Sequence, residues 1–322
     1  MNEALLTQAC SAFEAVQRIL IVSHIRPDGD AIGSLFGLGL ALQNAGKDVQ
    51  MVLADGLPAS FRFLEGAKQV RTSPQGPFDL SVVVDCSDME RIGNAANGVF
   101  INGVAPDINI DHHITNLNFA RLNLVDTEAT ATAEVLAELL PACGLSISPG
   151  TASALLTGIV TDTLGFRTEN VRPETLCIAA KLMEAGANLH KIYRHSLINR
   201  SFKATRYWGA GLSNLERDGQ MVWATLKLTD RQAVSYPGRD DADLINVISE
   251  INEGEISLIF VEQTGGRVKV SWRSQPGYDV SQIALCFGGG GHKAAAGAEI
   301  SGSLDEVKQS VLQATRALLN SR

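Results

Sequence analysis

The sequence holds little that would tie it to a membrane, a secreted scaffold or a duplex nucleic acid. Its five cysteines, Cys10, Cys86, Cys143, Cys177 and Cys286, are scattered and odd in number. No pair has the spacing of a zinc finger or a redox motif, which excludes a disulfide framework as the organising principle and predicts free thiols in a reducing compartment. There is no cationic surplus: the formal net charge is -8, which argues against a wide basic face for duplex nucleic acid. A small anionic substrate remains open, because a metal ion or a few arginines can supply local positive charge. No apolar run approaches the ~18 residues of a membrane span. The N-terminus, Met1 to Arg18, carries Glu3 and Glu14 and lacks a basic start, so it reads as an amphipathic helix rather than a signal peptide. The expected location is cytoplasmic. Internal repeats are missing, and the one low-complexity stretch is a run of four glycines.

What is present is an ordinary globular composition, 45% hydrophobic and 19% charged, in 322 residues, long enough for two domains. In the first half, apolar runs predict buried strands at 19–22, 49–53, 80–85 and 108–111. They alternate with helical patterns from Leu35 to about Asn44, over 129–140 with Thr127 or Thr130 as cap, over 151–160 and over 173–185. Strands alternating with helices predict an α/β fold with a doubly wound parallel sheet. The stretch 192–215 has long helical texture. Beyond it come a strand at 221–228, a helix at 240–251, a hairpin of 256–261 with 267–273 around Gly265-Gly266, a short strand at 298–300 and a terminal helix from Leu304. The predicted organisation is an α/β domain over 1–190, a helical linker over 191–215 and a smaller α+β domain over 216–322.

The chemistry concentrates where apolar runs end. His24, Asp28 and Asp30 lie in Ser23-His24-Ile25-Arg26-Pro27-Asp28-Gly29-Asp30, after the first strand. Asp85 follows the third strand, Asp111-His112-His113 the fourth, and Asp162 a buried helix. Taken alone, the first loop is equally well an Asx turn with Asp30 or Ser34 as helix cap. Asp85, Asp111 and Asp162 each admit a similar turn or cap role. Together they place six or more His and Asp side chains at one edge of a parallel sheet, where bare burial of carboxylates would be costly. Divalent cations are the simplest compensation, and a pair of ions sharing one carboxylate would use this many ligands. Oxygen and imidazole donors without thiolate favour manganese, with magnesium or cobalt as alternatives.

These four segments, His24-x-x-x-Asp28-x-Asp30, Asp85-Cys86-Ser87, Asp111-His112-His113 and Thr161-Asp162-Thr163, resemble the motifs of the DHH phosphoesterase superfamily. The run Gly288-Gly289-Gly290-Gly291-His292-Lys293-Ala294-Ala295-Ala296-Gly297 resembles the signature of its DHHA1 substrate domain. Length and layout are most similar to the bacterial oligoribonuclease/pAp phosphatase (nanoRNase) branch. The resemblance implies one metal on His24, Asp28 and Asp85. It implies a second on Asp30, Asp85, His112 and Asp162, with Asp85 bridging. It also implies that Asp111 orients the histidine pair, and that His113 contacts the scissile phosphate or protonates the leaving oxygen. One departure is Leu164-Gly165-Phe166, where relatives often carry a smaller residue after the Asp-Thr pair.

In the second domain, successive glycine amides at Gly289, Gly290 and Gly291 can approach an anion, and no Lys-Ser/Thr of an ATP-binding loop follows them. A flexible hinge is the competing reading. The resemblance assigns Arg273, Ser274 and His292 to the non-scissile end of the substrate. Trp272 alternates with Arg273 and is expected to face the core. Arg167 and Asn116 are weaker candidates near the metal motifs. The resemblance implies a metal-dependent phosphoesterase, with its active site in a cleft between the domains. Its substrates would be very short single-stranded RNA and 3′-phosphoadenosine 5′-phosphate, not duplexes. A cyclic or linear dinucleotide phosphodiesterase and a non-catalytic nucleotide sensor are the rivals. A homodimer is compatible with the resemblance, and no membrane partner is expected.

Overall fold

In the computed structural model, which describes residues 3–96, 100 and 105–320, the chain divides into two compact units, Met1–Asn199 and Arg200–Arg322. The first unit opens with helix α1 (Glu3–Ala15) and strand β1 (Arg18–Val22), followed by α2 (Gly29–Asn44) and β2 (Asp48–Val52). Then come β3 (Leu80–Val84), β4 (Ile108–Asp111), β5 (Leu122–Val125), α3 (Thr132–Ala142), α4 (Pro149–Asp162), α5 (Pro173–Glu184) and α6 (Leu189–Tyr193). All five strands run parallel in the order β2-β1-β3-β4-β5. The chain therefore leaves β1 toward one edge and returns to its other side, so the switch of direction lies between β1 and β3. That is where an open parallel sheet presents a crevice at its carboxyl ends.

Side-chain alternation explains the two cores of this sheet. Ile19, Ile21, Val82, Val84, Ile108 and Ile110 point into the larger core with the helices. Leu20, Val22 and Val83 point into a smaller one, closed by Ile92, Ala95 and Phe100. Both faces are covered, so these strands read as unbroken apolar runs. Helices α2 and α4 pack closely because glycines line the contact. A Cβ on Gly33 would sit 2.6 Å from both Ala154 O and Gly158 N, and one on Gly37 would run into Leu155 Cδ2.

The second unit holds α7 (Phe202–Ser213), β6 (Glu216–Asp218), β7 (Met221–Leu226), α8 (Leu228–Val234), α9 (Leu244–Ile248) and β8 (Ile256–Gln263). It continues with β9 (Arg267–Ser274), α10 (Val280–Cys286), β10 (Gly290–His292), β11 (Ala295–Ser301) and α11 (Leu304–Asn320). Its six strands run β10-β11-β9-β8-β7-β6, with β7 and β8 parallel and the other neighbours antiparallel. Trp272 is fully buried here, as its alternation with Arg273 requires, and its Nε1 donates to Thr315 Oγ1.

Several expectations change. Cys10 and Cys143 form a disulfide, so the expectation of free thiols holds only for Cys86, Cys177 and Cys286. The pair is 133 residues apart in sequence, and only the packing of α1 beside the end of α3 makes it visible. Strand β5 was not expected. The stretch 192–215 is broken, because Ser201 accepts from Ala204 N and starts α7 afresh. The helix expected over 240–251 shrinks to Leu244–Ile248, since Ala242 and Asp243 adopt left-handed backbone. Helix α3 begins at Thr132, and its N-cap position is Ala131, which has no capping side chain.

Candidate metal centre

Three strand ends, the start of α2 and the end of α4 deliver the polar cluster. Ser23 Oγ donates to Val84 O at 2.8 Å and ties the end of β1 to the end of β3. The next residue, His24, is buried, and its Nδ1 lies 2.8 Å from Ile25 O. A carbonyl can only accept, so Nδ1 carries a proton and Nε2 faces inward. Nε2 has no hydrogen-bond partner, and it stands 3.5 Å from Asp85 Oδ2 and 3.9 Å from Asp28 Oδ2. Burial would lower the His24 pKa, yet Asp85 and Asp28 raise it, so these two carboxylates call for a proton or a cation at the buried Nε2.

Asp28 reconciles the two readings of its loop. Oδ1 caps α2, accepting from Asp30 N at 3.1 Å and Ala31 N at 3.0 Å, and Oδ2 faces His24. Asp30, rather than capping α2, is buried behind it. It accepts from Thr132 N at 2.6 Å on Oδ2 and from Ala133 N at 3.0 Å on Oδ1. Ser34 donates to the same Oδ1 at 3.3 Å. The absence of a Cβ on Gly158 lets α4 reach this point, for such an atom would sit 2.6 Å from Asp30 Oδ1.

A second imidazole faces the opposite side of Asp85. His112 Nε2 stands 3.8 Å from Asp85 Oδ1, 3.9 Å from Asp30 Oδ2 and 3.6 Å from Asp162 Oδ2. Its Nδ1 is turned to Ala129 O at 3.3 Å. Asp85 thus offers one oxygen to each imidazole. His24, Asp28 and Asp85 form one potential ligand group, Asp30, His112 and Asp162 a second, and Asp85, His112 and His113 a third; within each, the donor atoms lie within 4.8 Å of one another. These gaps exceed hydrogen-bond length, yet ligand distances of about 2.0–2.2 Å would let one cation touch both sides. The buried Nε2 of His24 and the oxygen-imidazole donor set both fit a divalent metal.

Asp111 lies beneath the histidine pair. Its Oδ1 accepts from His112 N at 2.9 Å and lies 2.7 Å from His113 Nδ1. Its Oδ2 accepts from Asn116 Nδ2. Asn116, a weak candidate in the sequence, therefore secures the carboxylate that holds His113. The residue missed altogether is Thr132, whose hydroxyl donates to Asp85 Oδ1 at 3.0 Å. Thr130-Ala131-Thr132-Ala133-Glu134 signals a helix start, but nothing local identifies Asp30 and Asp85 as its partners. Leu164 adopts φ 48° two residues after Asp162 and is 42% exposed, an unusual backbone for a side chain of this size.

The electrostatics follow from burial and crowding. Burial, then the charges of Asp85, Asp162 and Asp28, push the Asp30 carboxyl well above its ordinary value. Asp162 rises to about 7, chiefly by burial. Burial also opposes ionisation of Asp85, but His24, His113 and His112 outweigh it and hold that carboxyl low. Burial would lower His113, yet Asp111 and Asp85 raise it to about 9.

The substrate candidates of the second unit share a sheet. His292 on β10 pairs with Ala295 on β11, which pairs with Arg273 on β9. Residues directly opposite one another point to the same face, so His292 and Arg273 share a face two strands apart. Arg273 Nη1 donates to Trp272 O at 3.0 Å. The Ser274 hydroxyl reaches Tyr278 O and Lys293 O at 3.2 and 3.3 Å. The glycine run is not a row of four unbonded amides. Gly288 N and Gly289 N donate to Leu285 O and Ala284 O behind α10, and Gly290 and Gly291 belong to an exposed edge strand.

Comparison with known proteins adds to this geometry. Residues 18–159 match the DHH family, N-terminal domain, and residues 235–321 match the DHHA1 domain. The chain is 36% identical over 303 residues to the bifunctional oligoribonuclease and PAP phosphatase NrnA of Thermus thermophilus, covering 92% of this chain and 89% of that one. Among solved structures, an exopolyphosphatase-related protein from Bacteroides fragilis aligns with a TM-score of 0.91 at 27% identity, over 98% of this chain and 96% of that one. RecJ from Thermus thermophilus, solved in complex with Mn2+, shares the fold at a TM-score of 0.55 and 15% identity, over 97% of this chain and 54% of that one.

Proposed function

The chain belongs to the DHH family, and from the donors gathered at its sheet edge we propose a divalent-metal phosphoesterase acting on short oligoribonucleotides and 3′-phosphoadenosine 5′-phosphate. The Thermus relative is an oligoribonuclease and PAP phosphatase, and both activities hydrolyse phosphoesters. One observation carries the metal reading: Asp85 turns its two oxygens toward two different imidazoles, His24 and His112. His24, Asp28 and Asp85 would hold one ion, and Asp30, Asp85, His112 and Asp162 the other. Mn2+ is favoured by these donors, and Mg2+ or Co2+ are the alternatives. Bound there, the ions would acidify a water and polarise the phosphoryl group.

The chain's own residues prepare that chemistry. Asp111 fixes the His113 ring through Nδ1, which directs Nε2 away from it as a proton donor for the leaving oxygen. Asn116 keeps Asp111 in place from behind. In the second unit, Arg273, Ser274, His292 and the backbone of Gly290 and Gly291 would hold the non-scissile end of the substrate, Arg273 by a forked contact to phosphate, whereas the Gly289 amide is already committed to Ala284 O. An acidic chain without a basic surplus suits short, single-stranded substrates.

Asp85→Ala tests the reading. With Mn2+, hydrolysis of bis-p-nitrophenyl phosphate and of a diribonucleotide should fall by roughly 10³-fold or more, about 4 kcal/mol of transition-state stabilisation. Turnover close to that of the unaltered protein would overturn it. A panel of 3′-phosphoadenosine 5′-phosphate, two- to five-residue RNA and linear and cyclic dinucleotides then ranks substrates.

A further inference from the structure

The first turn of α3 is an unusual helix start. Its N-cap position is Ala131, which has no side chain to accept from the first amides. Those amides are accepted instead by a carboxylate 102 residues earlier in the chain: Thr132 N and Ala133 N both donate to Asp30. From the same residue, the Thr132 hydroxyl donates to Asp85 Oδ1. Thr132 is thus bonded to both central carboxylates of the candidate centre. Its amide and the helix dipole favour negative charge on Asp30. Its hydroxyl fixes the rotation of the Asp85 carboxylate, which must offer one oxygen to each side.

Behind this turn sits a further buried carboxylate. Glu134 is 2% exposed. Its Oε2 accepts from Thr130 N at 3.0 Å, from the Thr130 hydroxyl and from Thr175 Oγ1 at 3.1 Å. Its Oε1 accepts from Arg172 Nη2 at 3.1 Å. Thr130 and Thr175 are fully buried, and Thr175 belongs to the first turn of α5. Glu134 therefore joins the segment before α3 to α5. It also steadies the segment whose Ala129 carbonyl faces His112 Nδ1.

We propose that Thr132 is a positioning residue for divalent-metal binding, presetting Asp30 and Asp85 through its amide and hydroxyl, and that Glu134 anchors the turn that carries it. This rests on the metal reading above, but the closing experiment separates the two. Hydrogen-bonding partners behind metal ligands typically change affinity by about 10–100-fold when removed.

The test uses the full chain, stripped of metal by chelation and titrated with Mn2+ by calorimetry, with urea unfolding recorded for every variant. Thr132→Val keeps the amide and the shape but removes the hydroxyl, and should weaken Mn2+ binding about 10-fold or more. Thr132→Ser restores the hydroxyl and should return affinity to within about threefold of the unaltered protein. Glu134→Gln, which removes the charge and one acceptor, should weaken Mn2+ binding in the same direction while the protein still unfolds cooperatively. Should Thr132→Val lower the unfolding midpoint with Mn2+ affinity unchanged in the folded protein, the residue is structural and the proposal fails. If the unaltered protein binds no Mn2+, Mg2+ or Co2+, the metal reading itself fails, whatever the variants do.

Discussion

Asp28 divides its carboxylate between two tasks, closing the first turn of α2 with Oδ1 and facing the buried Nε2 of His24 with Oδ2, 3.9 Å away. The residue that begins the helix is thereby bound to the geometry of the candidate centre. A helix cap is local and strong enough to fix the side chain before any ion arrives.

The two tasks separate by mutation. Asn caps a helix about as well as Asp, so Asp28→Asn should leave the urea midpoint near that of the unaltered protein while lowering Mn2+-dependent turnover by at least about tenfold. Asp28→Ala loses the cap as well, and should cost about 1 kcal/mol of stability in addition. Equal loss of stability in both variants would mean that the cap is not made as described.

Close approach of α2 and α4 sets how near Asp30 comes to Asp162. An alanine at position 33 would gain about 1 kcal/mol in helix propensity. Its Cβ would, however, meet two backbone atoms of α4, Ala154 O and Gly158 N, at 2.6 Å. Backbone cannot rotate aside, so the clash dominates. Gly33→Ala should destabilise the protein by about 1–3 kcal/mol in urea unfolding. It should also weaken Mn2+ binding, because the two helices carry Asp30 and Asp162 of one candidate ligand group.

Acid stability has a contribution far from the centre. Asp79 accepts from Arg18 N at 2.8 Å and Gln17 N at 3.2 Å, and these amides at the start of β1 hold its carboxyl below the ordinary value. A carboxyl lowered on folding stabilises the protein above its unfolded pKa of about 3.9, and that contribution is lost as pH falls through the folded value. Asp79→Asn should therefore be less stable than the unaltered protein at pH 7, with the gap closing as urea midpoints are followed below pH 4. A gap independent of pH would show that the charge plays no part.

Legibility was high where the signal is local. Apolar runs, alternation and the residue after each run located β1, β3 and β4 and placed His24, Asp85, Asp111, His112 and His113 at their ends. A parallel sheet brings such ends to one edge. Strand β5 is not legible, because Leu122–Val125 lies at the edge of the sheet with only Leu124 buried, so it lacks the unbroken apolar run of the central strands. Local rules direct the cap of α3 to Thr127 or Thr130, and Asp30 supplies it from elsewhere in the chain.

The amino-acid sequence by itself determined the kinds of group at the sheet edge and their order, because strand and helix periodicity are set by neighbours in the chain. Only the tertiary structure decided what each oxygen and nitrogen faces. Asp28 both caps and confronts His24, Asp85 turns to two imidazoles, and Asn116 secures Asp111. Thr132 reaches two carboxylates, and Cys10 meets Cys143. Those pairings depend on how closely segments distant in sequence approach, and here that distance is fixed by packing such as the glycine contact of α2 with α4.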